Sequence, residues 1–412
     1  MTTDVTELKH NALESNVWKF YLSRTLTGFR LIAPIRVLFL LTFISYAQIG
    51  VMELAASIVI LALEIPSGVF ADLVGRKTSM LIGSILSTLA FVCVGLGSGL
   101  GLFALGWAIS GASDAFHSGA DEAMLYDSLK KLDREEDYIK ITSRLNLVRA
   151  LTGVVGSVAG AYLYQMNIRL PWLIFAVFIG LSGLVTWSMV EPHTPEKGYS
   201  VSNQVEHLKG AFVFSFTHPT VRWLILFFLV LSIPMFAFVT LMSQPYLMSR
   251  GFKVTSLGFI FGLIHGVSGV LSALSHRVES RIGEKLSVLL ITVLYVAVFV
   301  LAGLVEGRSV VFGLVILLYL VENYKGVVFG TYLNHHVRSE NRATVLSIRS
   351  FLSNVLVTLL VVLIGYFIDL YTIDAVLVGL GAAVGLASLP FLLRRYTTRF
   401  RRVSRAEAAP EG

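Results

Sequence analysis

Runs of mostly apolar residues, each about 20 long and separated by short charged gaps, recur along the whole chain. A membrane-spanning helix needs about 20 such residues. Windows of that kind lie at approximately 18–44, 51–71, 78–98, 102–128, 143–165 and 170–190, and again at 220–248, 255–277, 285–305, 309–333, 343–368 and 374–394. Twelve spanning helices are therefore expected. The one gap long enough to link two domains runs from Glu191 through Lys209 and divides them six and six. The expected organisation is an N-terminal bundle over 1–190, a cytoplasmic linker over 191–219, a C-terminal bundle over 220–394 and a basic cytoplasmic tail over 395–412.

Composition points the same way, to an all-α membrane protein. The 412-residue chain is 55% hydrophobic and only 14% charged, with a mean hydropathy of +0.75. These values exclude a soluble globule. The net charge of +7 would suit nucleic acid, but its distribution has another cause. With both termini cytoplasmic, only Arg169, Arg250, Lys253 and Arg308 fall outside, as the positive-inside bias requires. The expectation is a multi-pass protein of the cell (cytoplasmic) membrane with no nucleic-acid partner. Asp4, Glu7 and Glu14 stand where a signal peptide would be basic, so no cleaved leader is expected. The lone Cys93 lies in an apolar run and excludes disulfides.

The two halves resemble each other locally. The segment from Glu64 to Lys77 can be laid without a gap on Ser272 to Lys285, so that Ser67, Gly75 and Lys77 meet Ser275, Gly283 and Lys285. Arg149 in the fifth span and Arg349 in the eleventh each stand a turn or two inside the cytoplasmic end. This pattern is what an internal repeat leaves behind.

The segment Gly68-Val69-Phe70-Ala71-Asp72-Leu73-Val74-Gly75-Arg76-Lys77 has the form G-x-x-x-D-x-x-G-R-K. It resembles the loop between the second and third helices of major facilitator superfamily transporters. The resemblance implies two pseudo-symmetric six-helix bundles that rock about a central cavity lined by spans 1, 4, 7 and 10. It implies that Gly68 and Gly75 permit the tight turn, that Asp72 approaches the start of the eleventh span, and that Arg76 pairs with Asp127 or Asp121. Lys77 belongs to the same motif, and together these residues would govern switching. Family packing also implies an ion pair between Glu64 and Arg349 when the cytoplasmic side is shut. Exporters of this family often carry a glycine-rich fifth helix with a proline; here Gly153, Gly156 and Gly160 are present without it.

Ionisable side chains in hydrocarbon cost about 2.5 kcal/mol or more, so each is a candidate for function. Asp114, His117 and Asp121 recur at helical spacing along one face, and an acid beside a histidine suits uptake and release of a proton. Pairing with arginines of the first span, such as Arg30, is the structural alternative. Glu322 and Lys325 are neighbours three residues apart beside Asn323; they either neutralise each other or meet a polar substrate. Arg24 is expected to snorkel to the surface, while Arg30 and Arg36 sit deeper and favour an anionic substrate. Gln244 and Tyr246 carry hydrogen-bonding groups near the outer end of the seventh span.

No Walker-type phosphate loop occurs, which argues against an ATP-driven pump. His335 and His336 lack partners at ligand spacing, so neither metal nor cofactor is expected, and no enzyme activity. The function favoured is secondary transport of a small organic molecule by a monomer in the lipid bilayer, coupled to protons and directed outwards. Proton-coupled uptake, movement of an amphiphile or lipid, and a non-transporting receptor remain as alternatives.

Overall fold

The structure, a computed structural model, describes residues 2–192, 212–213, 215–337 and 339–397. Among them only helices and turns occur. In chain order they are α1 (Thr2–Gly28), α2 (Arg36–Leu41), α3 (Tyr46–Val74), α4 (Arg76–Leu96), α5 (Leu100–His117), α6 (Ala120–Lys130), α7 (Tyr138–Met166) and α8 (Leu170–Trp187). There follow α9 (Pro219–Ala237), α10 (Ser243–Ser249), α11 (Val254–Leu304), α12 (Arg308–His336), α13 (Ser339–Leu352), α14 (Thr358–Leu370) and α15 (Ile373–Thr397). The expected tail beyond 397 and the linker over 193–211 lie outside the described residues, as do the side chains of His335 and His336.

Among the described residues, nine helices are long and apolar enough to cross a membrane. The first, fourth and eighth windows are not among them. The first is broken between α1 and α2, where Pro34 lacks a backbone donor. The fourth is broken at Ser118 and Gly119, whose φ of +75° reverses the chain between α5 and α6. The apolar run of the eighth is described as Val254–Val267. Large apolar side chains such as Ile58, Leu184 and Leu386 stand exposed, which suits a surface facing hydrocarbon rather than water.

Two glycines end the helices that the sequence repeat aligned. Gly75 has φ +129° and ψ +146° between α3 and α4. Gly283 has φ +72° and ψ +172°, and divides α11 into 254–282 and 284–304. Both conformations are open to glycine and closed to most other residues. Gly68, in contrast, is helical inside α3, and a Cβ there would meet nothing within 4 Å. The tight turn rests on Gly75 alone, because a helix interior needs no positive φ.

Contacts group the chain into two compact units that cut across the sequence halves. The first comprises Met1–Val205, Thr240–Val270 and Val361–Asp369; the second comprises Glu206–Val239, Leu271–Leu360 and Leu370–Gly412. Within the first unit, three joins bring pieces of the second half onto the first. Asp369 caps α3, accepting from the backbone N–H groups of Tyr46 and Ala47 at 3.0 and 2.9 Å. A Cβ on Gly50 would lie 2.7 Å from Cα of Val362, so α3 and α14 touch backbone to backbone. Gln244 of α10 fills the break after α1, donating to the Ala33 carbonyl at 2.8 Å and accepting from the Val37 N–H at 2.6 Å. Gly258 of α11 meets α7, where a Cβ would lie 2.9 Å from the Ser157 carbonyl oxygen.

The second unit has an aromatic centre. Phe227 stacks on Phe391 at 5.3 Å between ring centroids, and Trp223 donates its indole N–H to the Phe391 carbonyl at 3.1 Å. This ties α9 to α15.

Candidate functional site

The break between α5 and α6 is the origin of the charged cluster in the first unit. A helix end leaves its last carbonyls without intrahelical donors. Here serines of the neighbouring helices supply them: Ser67 of α3 donates to the Ala115 carbonyl at 2.8 Å, and Ser79 of α4 donates to that of Phe116 at 2.7 Å. Ser113 in turn donates to the Gly83 carbonyl at 2.8 Å. The broken helix is thereby held on α3 and α4, and its side chains are fixed in direction.

Asp121 sits in the first turn of α6, where the helix dipole favours an anion. Its two oxygens are both engaged. Arg24 of α1 donates to Oδ2 at 2.7 Å, and Nδ1 of His117 lies 3.0 Å from Oδ1. The His117 ring occupies room that Gly83 leaves, since a Cβ there would approach its Cδ2 at 2.5 Å. Arg24 was expected to snorkel; Asp121 instead gives its guanidinium a partner within the bundle.

Asp114 differs from Asp121. Its residue is exposed, and its carboxylate makes no hydrogen bond or ion pair among the described residues. His117 and Glu53 are within its electrostatic reach. Both aspartates open onto a cavity of about 280 Å³ within the first unit, bordered by α1, α4, α5, α6, α7 and α8. Its wall mixes hydroxyls, among them Ser23, Ser84 and Ser182, with Arg24 and Arg149. A carboxylate free of partners beside an imidazole, in a small polar cavity, can bind and release a proton without breaking a salt bridge.

The remaining candidates of the first half are distributed as follows. Arg76 forms an ion pair with Asp127, which holds the start of α4 to α6. Lys77 donates its backbone N–H to Oε2 of Glu191 at 2.8 Å, and Asp72 lies half-buried in the last turn of α3. Arg36 pairs with Glu53 at 2.7 Å, with its guanidinium 5.9 Å from the centre of the Trp107 ring. Arg30 is exposed. Gln244 and Tyr246 are buried; the first is spent on the α1 to α2 break, and Arg250 lies 5.2 Å over the ring of the second. Glu64 is exposed on α3.

A second cluster lies in the second unit. Lys325 is 1% exposed. Its Nζ lies 2.9 Å from Oε2 of Glu322 and donates to Ser232 Oγ at 2.9 Å, over the Phe228 ring at 4.7 Å. The Tyr295 hydroxyl donates to the same Glu322 oxygen. Asn323 turns back to the Tyr319 carbonyl of its own helix, at 3.3 Å. Arg349 meets the same ring, with its guanidinium 4.8 Å from the Phe228 centroid.

Sequence reasoning missed Glu53, Glu191 and His265. Glu53 and His265 carried a usable signal, since each is an ionisable residue inside an apolar window. Glu191 carried none, because an acid in a polar gap is ordinarily solvated.

A family model described as the Major Facilitator Superfamily matches residues 20–334. The uncharacterized MFS-type transporter YxaM of Bacillus subtilis (strain 168) is 28% identical over 277 residues, 65% of this chain and 67% of that protein. Multidrug resistance protein 2 of the same organism is 24% identical over 285 residues, 66% of this chain and 67% of that protein. Among solved structures, a mutant of the nucleoside transporter NupG superposes with a TM-score of 0.78 at 13% identity, over 93% of this chain and all of that one. A bacterial homologue of the human lysosomal transporter Spinster gives 0.73 at 14% identity, over 95% and 99% of the two chains. At these identities the likeness to solved structures is one of fold.

Proposed function

Because the chain belongs to the Major Facilitator Superfamily, and is a transporter across a membrane, we propose that it exports a small organic molecule in exchange for protons. The observation that carries the reading is the Asp114 carboxylate, open to a polar cavity and without a bonded partner, next to the His117, Asp121 and Arg24 network. Asp114 takes the proton. His117 and Asp121 sense its charge and pass the change to α1 through Arg24. The name of Multidrug resistance protein 2 supports the outward direction.

Alternating access requires contacts that form and break at each face of the membrane. The three joins of the first unit are candidates at one face. At the other, Asp72, Gly75, Arg76, Lys77 and Asp127, with Glu64, Arg149 and Arg349, form the proposed switch. Glycines 153, 156 and 160 carry no direction of transport, since close backbone packing accounts for at least two of them: a Cβ on Gly156 would lie 2.7 Å from the Arg30 nitrogen, and one on Gly160 would overlap the Leu31 carbonyl. The chain works as a monomer of two six-helix bundles in the cytoplasmic membrane, both termini inside.

The test is an untargeted comparison of solutes in cells and medium for strains expressing the intact chain, the Asp114→Asn variant or neither. A compound enriched outside only with the intact chain is the expected result. Enrichment inside overturns the direction. Equal enrichment by the Asn variant overturns the role of Asp114.

A further inference from the structure

Arg30 and His265 of the first unit converge on Gly153 of α7, beside Arg149, and none of the three forms an ion pair among the described residues. A Cβ on Gly153 would lie 3.7 Å from Cδ of Arg30 and 3.7 Å from Cβ of His265. Arg149 stands one turn before Gly153, on the same helix face. Arg30 lies within electrostatic reach of both Arg149 and His265.

Neither guanidinium has a hydrogen bond or an ion pair among the described residues, and the buried Nε2 of His265 has no hydrogen-bond partner. Asp121 is the acid within reach of Arg149, but its two oxygens are already taken by Arg24 and His117. Like charges held together in a membrane protein, with an imidazole nitrogen left unsatisfied, are costly unless an anion joins them. Arg30 and Arg149 offer forked donors suited to a two-oxygen acceptor. The small Gly153 leaves the space between them open.

We propose that Arg30, Arg149 and His265 bind the carboxylate or phosphate group of the transported solute, so that the substrate is an organic anion. This rests on the transporter reading above and deepens it. The anion brings the two guanidinium groups and the imidazole into one charge-assisted network. It thereby joins the α1 break, α7 and the first part of α11, which are the pieces that a bound substrate has to couple.

The purified full chain, in nanodiscs of phosphatidylcholine, is titrated with inorganic phosphate, benzoate and glycerol 3-phosphate, the two organic anions beside their neutral counterparts benzamide and glycerol, and thermal stability is read. At least one anion raises the unfolding midpoint at millimolar concentration, and the neutral counterparts do not. The half-saturating concentration rises about tenfold or more in Arg30→Gln and in His265→Ala, and Arg30→Lys recovers part of the loss. No stabilisation by any of the anions, equal stabilisation by the neutral compounds, or unchanged binding in all variants overturns the proposal. Stabilisation only when phosphatidylglycerol replaces phosphatidylcholine assigns the cluster to a lipid headgroup and overturns the soluble substrate. Export of a neutral solute by both the intact chain and Arg30→Gln refutes the anion site and leaves the transport reading standing. Anion binding without export by the intact chain does the reverse.

Discussion

Arg24 donates to Asp121 at 2.7 Å, joining two helices that are each broken near the middle of their window. The pair is half-buried and its acid is shared with His117, so that α1, α5 and α6 meet at one carboxylate. Removing either partner leaves the other charge uncompensated, whereas exchanging the two keeps the attraction.

Arg24→Ala should therefore lower the stability of the purified protein by about 3 kcal/mol, measured by tryptophan fluorescence during denaturation in detergent. Asp121→Asn should cost a similar amount. The two losses should be far from additive in the double variant. Additive losses would show that the pair contributes nothing as a pair.

Glu191 closes the start of α4, and its neighbour Val190 is fixed by reciprocal hydrogen bonds with the buried Asn16 at 2.9 and 3.0 Å. Glu191→Gln keeps the shape and removes the charge that the helix start favours. The expected cost is about 1 kcal/mol, read in the same unfolding assay. Asn16→Ala should cost more, because it strips partners from Val190 and from Ser128 at once.

The join of α3 to α14 depends on two residues without side chains. A Cβ on Gly365 would stand 2.5 Å from the Tyr46 carbonyl oxygen. Gly365→Leu should push the helices apart and expose the cap that Asp369 makes. In a Cys93→Ala background, a cysteine at Ala47 should then react several-fold faster with a water-soluble maleimide than it does with Gly365 intact. Equal rates would mean that the join plays no part in closing this face.

Lys325 is buried and its charge is met by Glu322. Glu322→Gln should cost about 3 kcal/mol, because the ammonium group stays behind without its counter-charge. Lys325→Met should cost less than the acid substitution, since Glu322 is the more exposed partner and can reach water. The reverse order would place the greater burden on the carboxylate.

The hydrophobic pattern determined the number and position of the windows, because burial in hydrocarbon requires long apolar runs and each run is local to the chain. Residue identities, not hydropathy, aligned the two halves: the alignment that set Gly75 on Gly283 met two positive φ angles, and a φ of that sign is written in a single residue. Tertiary structure alone decided the partners. Asp121 and Asp127 were equal candidates for Arg76, yet Arg76 joins Asp127 and Arg24 joins Asp121, because packing of α1 and α4 against α6 sets which guanidinium arrives. Gln244, a donor and acceptor near a presumed cavity in sequence, closes a backbone break 207 residues away. The break at Gly119 lies in a run that reads as continuous helix, whereas Pro34 already marks the first span for a kink in the sequence. Periodicity records which faces are apolar, while a break is held by groups from other helices, here Ser67, Ser79 and Gln244, and those meet it only once the chain has folded.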